Sequence, residues 1–272
     1  MTEGRPLVSV VLPCRDAERY IRAALESILE QSYRELEILI IDNASADTTP
    51  EIVTGYAAAD PRIRYLRNET DIGIAGSLNR GLREATGELI ARMDADDIAL
   101  PERLAKQVAY LEANPNCVIC GTNIVLINAD DEEIGRREFG TEDADIKRRM
   151  LIDIPFCHPA TMFRRQAVVE GGVYYDEQWR TVEDRDFWLR LADHGLYANI
   201  PEDLMLYRIS ETSMKYAECR RTVYDIVRLQ LRWAFDPRFR GVRNLVMIAA
   251  ESALLLLPRR VITYLYKLRY SI

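Results

Sequence analysis

The chain has too few cysteines, too irregularly placed, to be stapled by disulfides. Five occur among 272 residues, at positions 14, 117, 120, 157 and 219, and an odd, unevenly spaced set is not a disulfide framework. Cys117 and Cys120 form a CxxC, but Val118 and Ile119 between them are apolar and no second pair completes a zinc site. These thiols are expected to pack as small hydrophobes. A long apolar run is also missing. The best candidate, residues 244–257, is 14 residues long, whereas a spanning helix needs about 20. Residues 1–6 are polar and hold no signal-peptide core, which predicts a cytoplasmic protein. Basic excess is lacking too: the net charge of -7 weighs against a nucleic-acid binder. No internal repeat or low-complexity stretch is present.

What remains is a globular composition. A hydrophobic fraction of 48% with 29% charged residues is that of a folded chain. Residues 7–12 (LVSVVL) read as a buried strand ended by Pro13. Residues 17–31 follow with helical spacing. Residues 36–41, 63–66 and 88–93 read as further strands. Between them, residues 48–58 form a helix with Pro50 in its first turn, and residues 74–85 another, closed by Gly87 as a left-handed cap. Strands alternating with helices predict an α/β fold whose sheet carries helices on both faces. In such sheets ligands bind beyond the carboxyl ends of the strands. The chain places Arg15, Asp42 with Asn43, and Asp94 to Asp97 there. Further along, residues 117–127, 160–163 and 204–209 read as strands, 141–151 and 182–194 as helices, and the chain from Met214 onward as helical. Gly171-Gly172 reads as a turn.

The segment Met93-Asp94-Ala95-Asp96-Asp97 carries most information. Three carboxylates in four residues repel one another, and a hard divalent cation such as Mg²⁺ or Mn²⁺ would relieve that. The cation would offset charge growing on a departing diphosphate. The plainer reading is a turn with Asp97 capping a helix over residues 98–111. A second acidic pair, Glu183-Asp184, opens the helix EDRDFWLRLADHG. Helix N-termini favour carboxylates in any case; the functional reading makes Asp184 a general base.

Together these segments resemble glycosyltransferase family 2. The matching text is VSVVLPCRDAERY through IIDNASADTT, then LNRGLREATGELIARMDADD, HPATMFRR, VEDRDFWLRL and LMLYRIS. It covers roughly residues 7–213, and the joint order is far more specific than any one piece. The resemblance implies a GT-A fold, a mixed, Rossmann-like sheet flanked by helices, and a nucleoside diphosphate sugar donor. It places Pro13, Arg15, Asp42 and Asn43 along the nucleotide, with Asn79, Arg92, Asp94 and Ala95 near the donor. It assigns Asp96 to the metal and Asp184 to the catalytic base, with Glu183 and His158 on the acceptor side; Trp188 on the same helix is a further acceptor-side candidate, able to stack on a sugar, whose plainer reading is inward packing. It implies single-displacement transfer with inversion, without a covalent nucleophile. Two departures stand out. Asn43 replaces a common Asp, and its side-chain oxygen can still accept a pyrimidine N3–H, which favours a UDP- or dTDP-sugar. Ser210 stands where the family often has a metal-binding His.

The chain is therefore expected to divide into a catalytic domain over 1–213 and a helical region over 214–272. The domain's nucleotide half is 1–97 and its acceptor half 98–213. From Arg238 onward seven basic residues face one acidic one, giving +6 against -13 for the rest. Basic groups beside apolar helices fit anionic headgroups at the inner face of the membrane, and with them a glycan or lipid-linked acceptor. The alternative is a helix packed on the domain or in a homodimer. Two rival functions remain at this point. A nucleotidyltransferase would normally show a Gly-rich basic signature that PCRDAER lacks. A non-catalytic sugar-nucleotide binder is disfavoured by the retained Asp94, Asp96 and Asp184.

Overall fold

The computed structural model describes residues 4–209, 219–239, 241–258 and 261–262. The four leading strands form as expected: β1 Val8–Cys14, β2 Leu36–Asp42, β3 Ile63–Arg67 and β4 Leu89–Arg92. All four are parallel in the order β3-β2-β1-β4. Their β-branched runs suit strands covered on both faces. Between them lie α1 Ile21–Leu29, α2 Thr49–Ala59 and α3 Gly73–Glu84.

Beyond β4 the sheet becomes mixed. The remaining strands are β5 Ile98–Ala99, β6 Cys117–Ile127, β7 Glu133–Arg137, β8 Met162–Arg164 and β9 Leu196–Arg208. β8 runs antiparallel to both β4 and β6, while β9 is parallel to β6. The order is completed as β4-β8-β6-β9-β5, with β7 paired to β6. The other helices are α4 Arg103–Ala113, α5 Asp143–Arg149, α6 Glu183–Leu191, α7 Cys219–Trp233 and α8 Val242–Leu254. This is the predicted α/β architecture.

Alternation along the strands splits the interior into two layers. Val8, Val10 and Leu12 of β1 join Ile21, Leu25 and Ile52 on one face. Val11 joins Leu78, Leu82, Phe187 and Leu191 on the other. Helix α7 adds Ile226 and Leu229 to that second layer, and Gln230 Nε2 donates to Leu151 O at 3.2 Å. Helix α7 thus packs on the second layer of the sheet.

Several sequence expectations change. β1 does not stop at Pro13 but runs through it to Cys14. Val11 O, on the β4 side, accepts from Met93 N; Pro13 faces the same side, past the end of β4 at Arg92, where no ladder donor is needed. Gly87 is not a left-handed cap, for only Gly73 and Gly172 among the described glycines have positive φ. Its role is steric: a Cβ there would come within 2.5 Å of Leu7 O. The helix expected from residue 98 begins instead at Arg103. Ile98 and Ala99 pair with Leu206 and Met205, so Asp97 caps nothing. β9 is far longer than residues 204–209, and the charged edge strand β7 was not anticipated. The turn at Gly171-Gly172 is present, with Gly172 at φ 71. Cys14, Cys117, Cys120 and Cys157 are free and buried, as expected. Ser210, and most of the basic tail from Arg259 on, lie outside the described residues.

Candidate active site

Because β1, β2 and β4 are parallel neighbours, the segments after them share one edge of the sheet. After β1 and β2 the chain makes two tight loops, with Asp16 at φ 47 and Ala44 at φ 58. The left-handed region is costly for residues bearing a Cβ, and the loops hold one another in it. Asp16 N–H donates to Ser45 Oγ at 3.0 Å, and Asp16 Oδ1 accepts from Ala46 N–H at 2.8 Å.

The nucleotide-side residues have distinct fates here. Pro13 is buried in β1. Asp42 is fully buried, its carboxylate accepting from Ser45 N–H and the Tyr65 hydroxyl at 2.9 and 2.6 Å. It supports the loop rather than facing the cleft. Asn43 Oδ1 already accepts from Asn68 Nδ2 and Ile72 N–H, and its Nδ2 donates to Asp71 Oδ1 at 2.6 Å. Arg15, half-exposed, pairs with the other oxygen of Asp71. Hydrogen bonds from Gly73 N–H and Asn43, with the charge of Arg15, hold the Asp71 carboxyl below its usual range.

On the other side of β4 lies a cavity of about 230 Å³. Arg92, Asp94, His158, Glu183, Asp184 and Tyr207 are among its lining residues. Asp94 lines its β4 edge, and Asp96 and Asp97 follow it in the same turn, each of the three with a carboxylate oxygen within 4.8 Å of the others. Arg92 Nη1 is 2.5 Å from Asp94 Oδ2. Burial opposes the Arg92 charge, yet Asp94 more than compensates and its pKa is raised. Ala95 is buried between the carboxylates. Burial, then the charge of Asp94, pushes Asp96 up to about 6. Asp97 is raised further by burial and by its two acidic neighbours, and its Oδ2 is buried without a hydrogen bond. An all-oxygen donor set, crowded and short of positive charge, fits Mg²⁺ or Mn²⁺.

Across the cavity, α6 presents Glu183 and Asp184 in its first turn. Asp184 Oδ1 accepts from Arg185 N–H at 2.7 Å. His158 sits in a short 3-10 turn, His158–Ala160, with Nε2 2.8 Å from the Tyr175 hydroxyl. Asn79 holds that tyrosine. Its Oδ1 accepts from Tyr175 N–H at 2.8 Å and its Nδ2 donates to Tyr175 O at 2.9 Å. Trp188 is 1% exposed and backs His158 edge-on at 5.7 Å. It therefore supports the His158 wall of the cavity from behind, with no face open to the cavity.

The model of Glycosyl transferase family 2 matches residues 9–172. The chain belongs to glycosyltransferase family 2.

This glycosyltransferase is 37% identical over 217 residues to EpsE of Bacillus subtilis, covering 76% of this chain and 74% of that one. It is 27% identical over 262 residues to the amylovoran biosynthesis glycosyltransferase AmsE of Erwinia amylovora, covering 96% and 97%. Among solved structures, TarS 1–349 of S. aureus in complex with UDP-GlcNAc superposes with a TM-score of 0.71 at 18% identity, over 90% of this chain and 71% of that one. The mannosyltransferase PcManGT of Pyrobaculum calidifontis, in complex with GDP-Man and Mn²⁺, gives 0.65 at 20%, over 97% and 74%. These likenesses establish the GT-A type of fold.

Three groups at the enzyme's site escaped the sequence reading. Asp71 was lost in the loop NETDIG, where nothing marks it as the partner of Asn43 and Arg15. Arg103 carries no mark of a role in the sequence of its helix. It is 1% exposed, and Nη2 donates to Arg92 O at 2.7 Å; burial lowers its pKa to about 10. Arg208 was visible within LMLYRIS but had no role. It donates its backbone N–H to Asp97 Oδ1 at 2.9 Å and Nε to Asp96 O at 2.8 Å.

Proposed function

We propose that this enzyme transfers one sugar from a nucleoside diphosphate sugar to a hydroxyl of a glycan or lipid-linked acceptor, with inversion. The reading rests on one observation above the rest. Asp94, the first of the crowded carboxylates after β4, and Asp184 line one cavity, with the loops of β1 and β2 beside it.

In this reading the nucleotide lies along those loops. Arg15 and Asp71 are the groups open to a base, because the acceptor atom of Asn43 is already engaged. Asp96 would hold the divalent cation, with Asp94 and Asp97 beside it; when bound, the cation supplies positive charge to the leaving diphosphate. Arg92, fixed by Asp94, adds a buried positive charge at the same edge. Asp184 takes the proton of the acceptor hydroxyl as its oxygen bonds to the anomeric carbon. The bond from that carbon to the diphosphate oxygen breaks, and its electron pair leaves with the diphosphate. One displacement inverts the centre, and the transition state is oxocarbenium-like.

The relatives' involvement in surface polysaccharides, as in the name of AmsE, supports an acceptor of that class. Assembly at the inner face of the cell membrane fits the outer face of α7 and α8. Val242 at the start of α8, with Phe235 and Leu256 just beyond the ends of α7 and α8, are 79%, 77% and 87% exposed, amid arginines. No helix among the described residues is long and apolar enough to cross a membrane. We read 1–213 as the catalytic domain and the helices beyond it as a lipid-facing platform. That assignment prefers an anionic lipid surface to a second copy of the chain.

The test is product analysis with UDP, dTDP, GDP and CMP sugars, with and without Mn²⁺. Release of one nucleoside diphosphate, dependent on metal and lost in Asp96→Ala, supports the reading and names the base. Asp184→Asn should keep donor binding and lower turnover by about 10²–10⁴-fold, the usual worth of a general base. Pyrophosphate release would point to a nucleotidyltransferase, and binding without turnover to an inactive sugar-nucleotide binder.

A further inference from the structure

The same cavity carries more positive charge than donor chemistry explains. Four arginines line it: Arg92, Arg137, Arg185 and Arg208. Two are accounted for. Arg92 pairs with Asp94, and Arg208 Nη2 with Asp131 Oδ1 at 2.5 Å. The other two have no carboxylate partner among the described residues. Arg137 ends β7, and its guanidinium lies over the Phe139 ring at 5.1 Å. Arg185 is 5% exposed; Nη2 donates to Leu151 O at 2.8 Å, and Nε is buried without an acceptor. A buried guanidinium without a counter-charge is costly, and a planar fork of donors matches an oxyanion better than any other ligand. Glu183 and Asp184 face the same space, so an anion is welcome only where these arginines outweigh them.

We propose that Arg137 and Arg185 bind a phosphate group carried by the acceptor, and so select a phosphorylated acceptor for the site. The inference rests on the reading of this cavity as the acceptor side. Its apolar wall, including Ile154, Phe156 and Ile226, would cover the part of the acceptor next to that phosphate. Two sources share the chemistry: a phosphate joining the glycan to a lipid, or one within the glycan.

The full chain is first saturated with Mg²⁺ and whichever nucleoside diphosphate stabilises it most, so that the donor's own phosphate positions are filled. Inorganic phosphate is then titrated by calorimetry. One further phosphate should bind, weakened at least tenfold in Arg137→Ala and in Arg185→Gln, with nucleotide affinity unchanged. Arg137→Ala touches no buried hydrogen bond and keeps the test valid if Arg185→Gln unfolds. Absence of binding in the loaded wild type, or unchanged binding in Arg137→Ala, overturns the proposal. If no nucleoside diphosphate binds, the functional reading fails, and titration of the unloaded protein still tests the two arginines. Displacement of phosphate by farnesyl phosphate at tenfold lower concentration than by glucose 1-phosphate assigns the lipid-borne source. The reverse order assigns the glycan-borne one, and failure of both to displace it overturns the acceptor assignment.

Discussion

Arg208 clamps the acidic turn to the last strand of the sheet: its backbone N–H meets Asp97 and its Nε meets the carbonyl of Asp96. The rest of its guanidinium is equally committed. Nη1 donates to Asn128 O at 2.7 Å, and the group lies over the Tyr20 ring at 4.3 Å. A residue at the end of β9 therefore fixes carboxylates that follow β4, although the two strands are not neighbours in the sheet.

Arg208→Ala should for that reason do more than remove a surface charge. Hydrogen bonds from charged groups are worth about 1.5–3 kcal/mol each, and its ion-pair partner Asp131 is largely exposed. A loss of about 2–4 kcal/mol in unfolding free energy is expected, read by urea denaturation. Metal-dependent activity should fall as well, since the Asp96 backbone loses its bond to Nε, while the backbone N–H of residue 208 still holds Asp97. A variant with full stability and full activity would show that the clamp is incidental.

Asp96 and Asp97 give the site a pH signature. Burial and Asp94 raise Asp96 from its ordinary 3.8 to about 6, and Asp97 moves the same way. The metal-free folded state thus holds these protons more tightly than the unfolded chain. Their contribution to stability is complete below about pH 3.8 and is lost as pH rises through about 6. A cation needs the ionised carboxylates, so its contribution runs the other way. Melting curves with excess Mn²⁺ should show a large stabilisation at pH 7.5 that shrinks towards pH 5. Asp96→Asn should abolish it at every pH. An equal Mn²⁺ effect at pH 5 would place the cation on other ligands.

Ala44 occupies a backbone conformation that favours glycine, at φ 58. Left-handed geometry costs an L-residue about 1–2 kcal/mol, partly offset because glycine loses more entropy on folding. Ala44→Gly is expected to raise stability by about 0.5–1 kcal/mol with little effect on turnover. A drop in melting temperature would mean that the alanine methyl group packs productively in the loop.

The parallel half of the fold was legible because its signal is local. LVSVVL and LEILII are buried on both faces, and each ends at a polar cluster that must lie at the sheet edge. The acidic turn was legible for the same reason. What the sequence hid depends on partners distant in the chain. Ile98 and Ala99 look like the start of a helix until β9 supplies a strand to pair with. EIGRR has no apolar alternation, yet it extends β6 as an edge strand. Among site residues, Asp42 and Asn79 have the right chemistry and stand close to the site in sequence. Only the fold shows Asp42 satisfied by Tyr65 and Asn79 wrapped around Tyr175. Residue type tells which bonds a side chain can make, not which partner has already taken them.

The lipid-facing reading of α7 and α8 makes the last prediction. Helix α7 has two faces: Thr222 and Ile226 line the cavity that holds Asp184, while Tyr224 and Leu231, and Phe235 just beyond its end, are 49%, 55% and 77% exposed. Leu245 and Val246 of α8 extend the outward apolar surface at 52% and 59%. Apolar burial is worth about 25 cal/mol per Å², so a few such side chains entering the headgroup region outweigh the loss of rigid-body freedom only with electrostatic help. The exposed Arg228 and Arg243 supply that help, and salt should weaken it. The full chain should therefore cosediment with vesicles of phosphatidylglycerol and phosphatidylcholine, but not with phosphatidylcholine alone. Binding should fall by at least tenfold in the double variant Phe235→Asp, Leu245→Asp, with cavity chemistry and nucleotide binding intact. Undiminished sedimentation of that variant, or equal binding to neutral vesicles, would move the surface from lipid to a second copy of the chain. A dimer in sedimentation equilibrium, dissociated by the same substitutions, would then establish that.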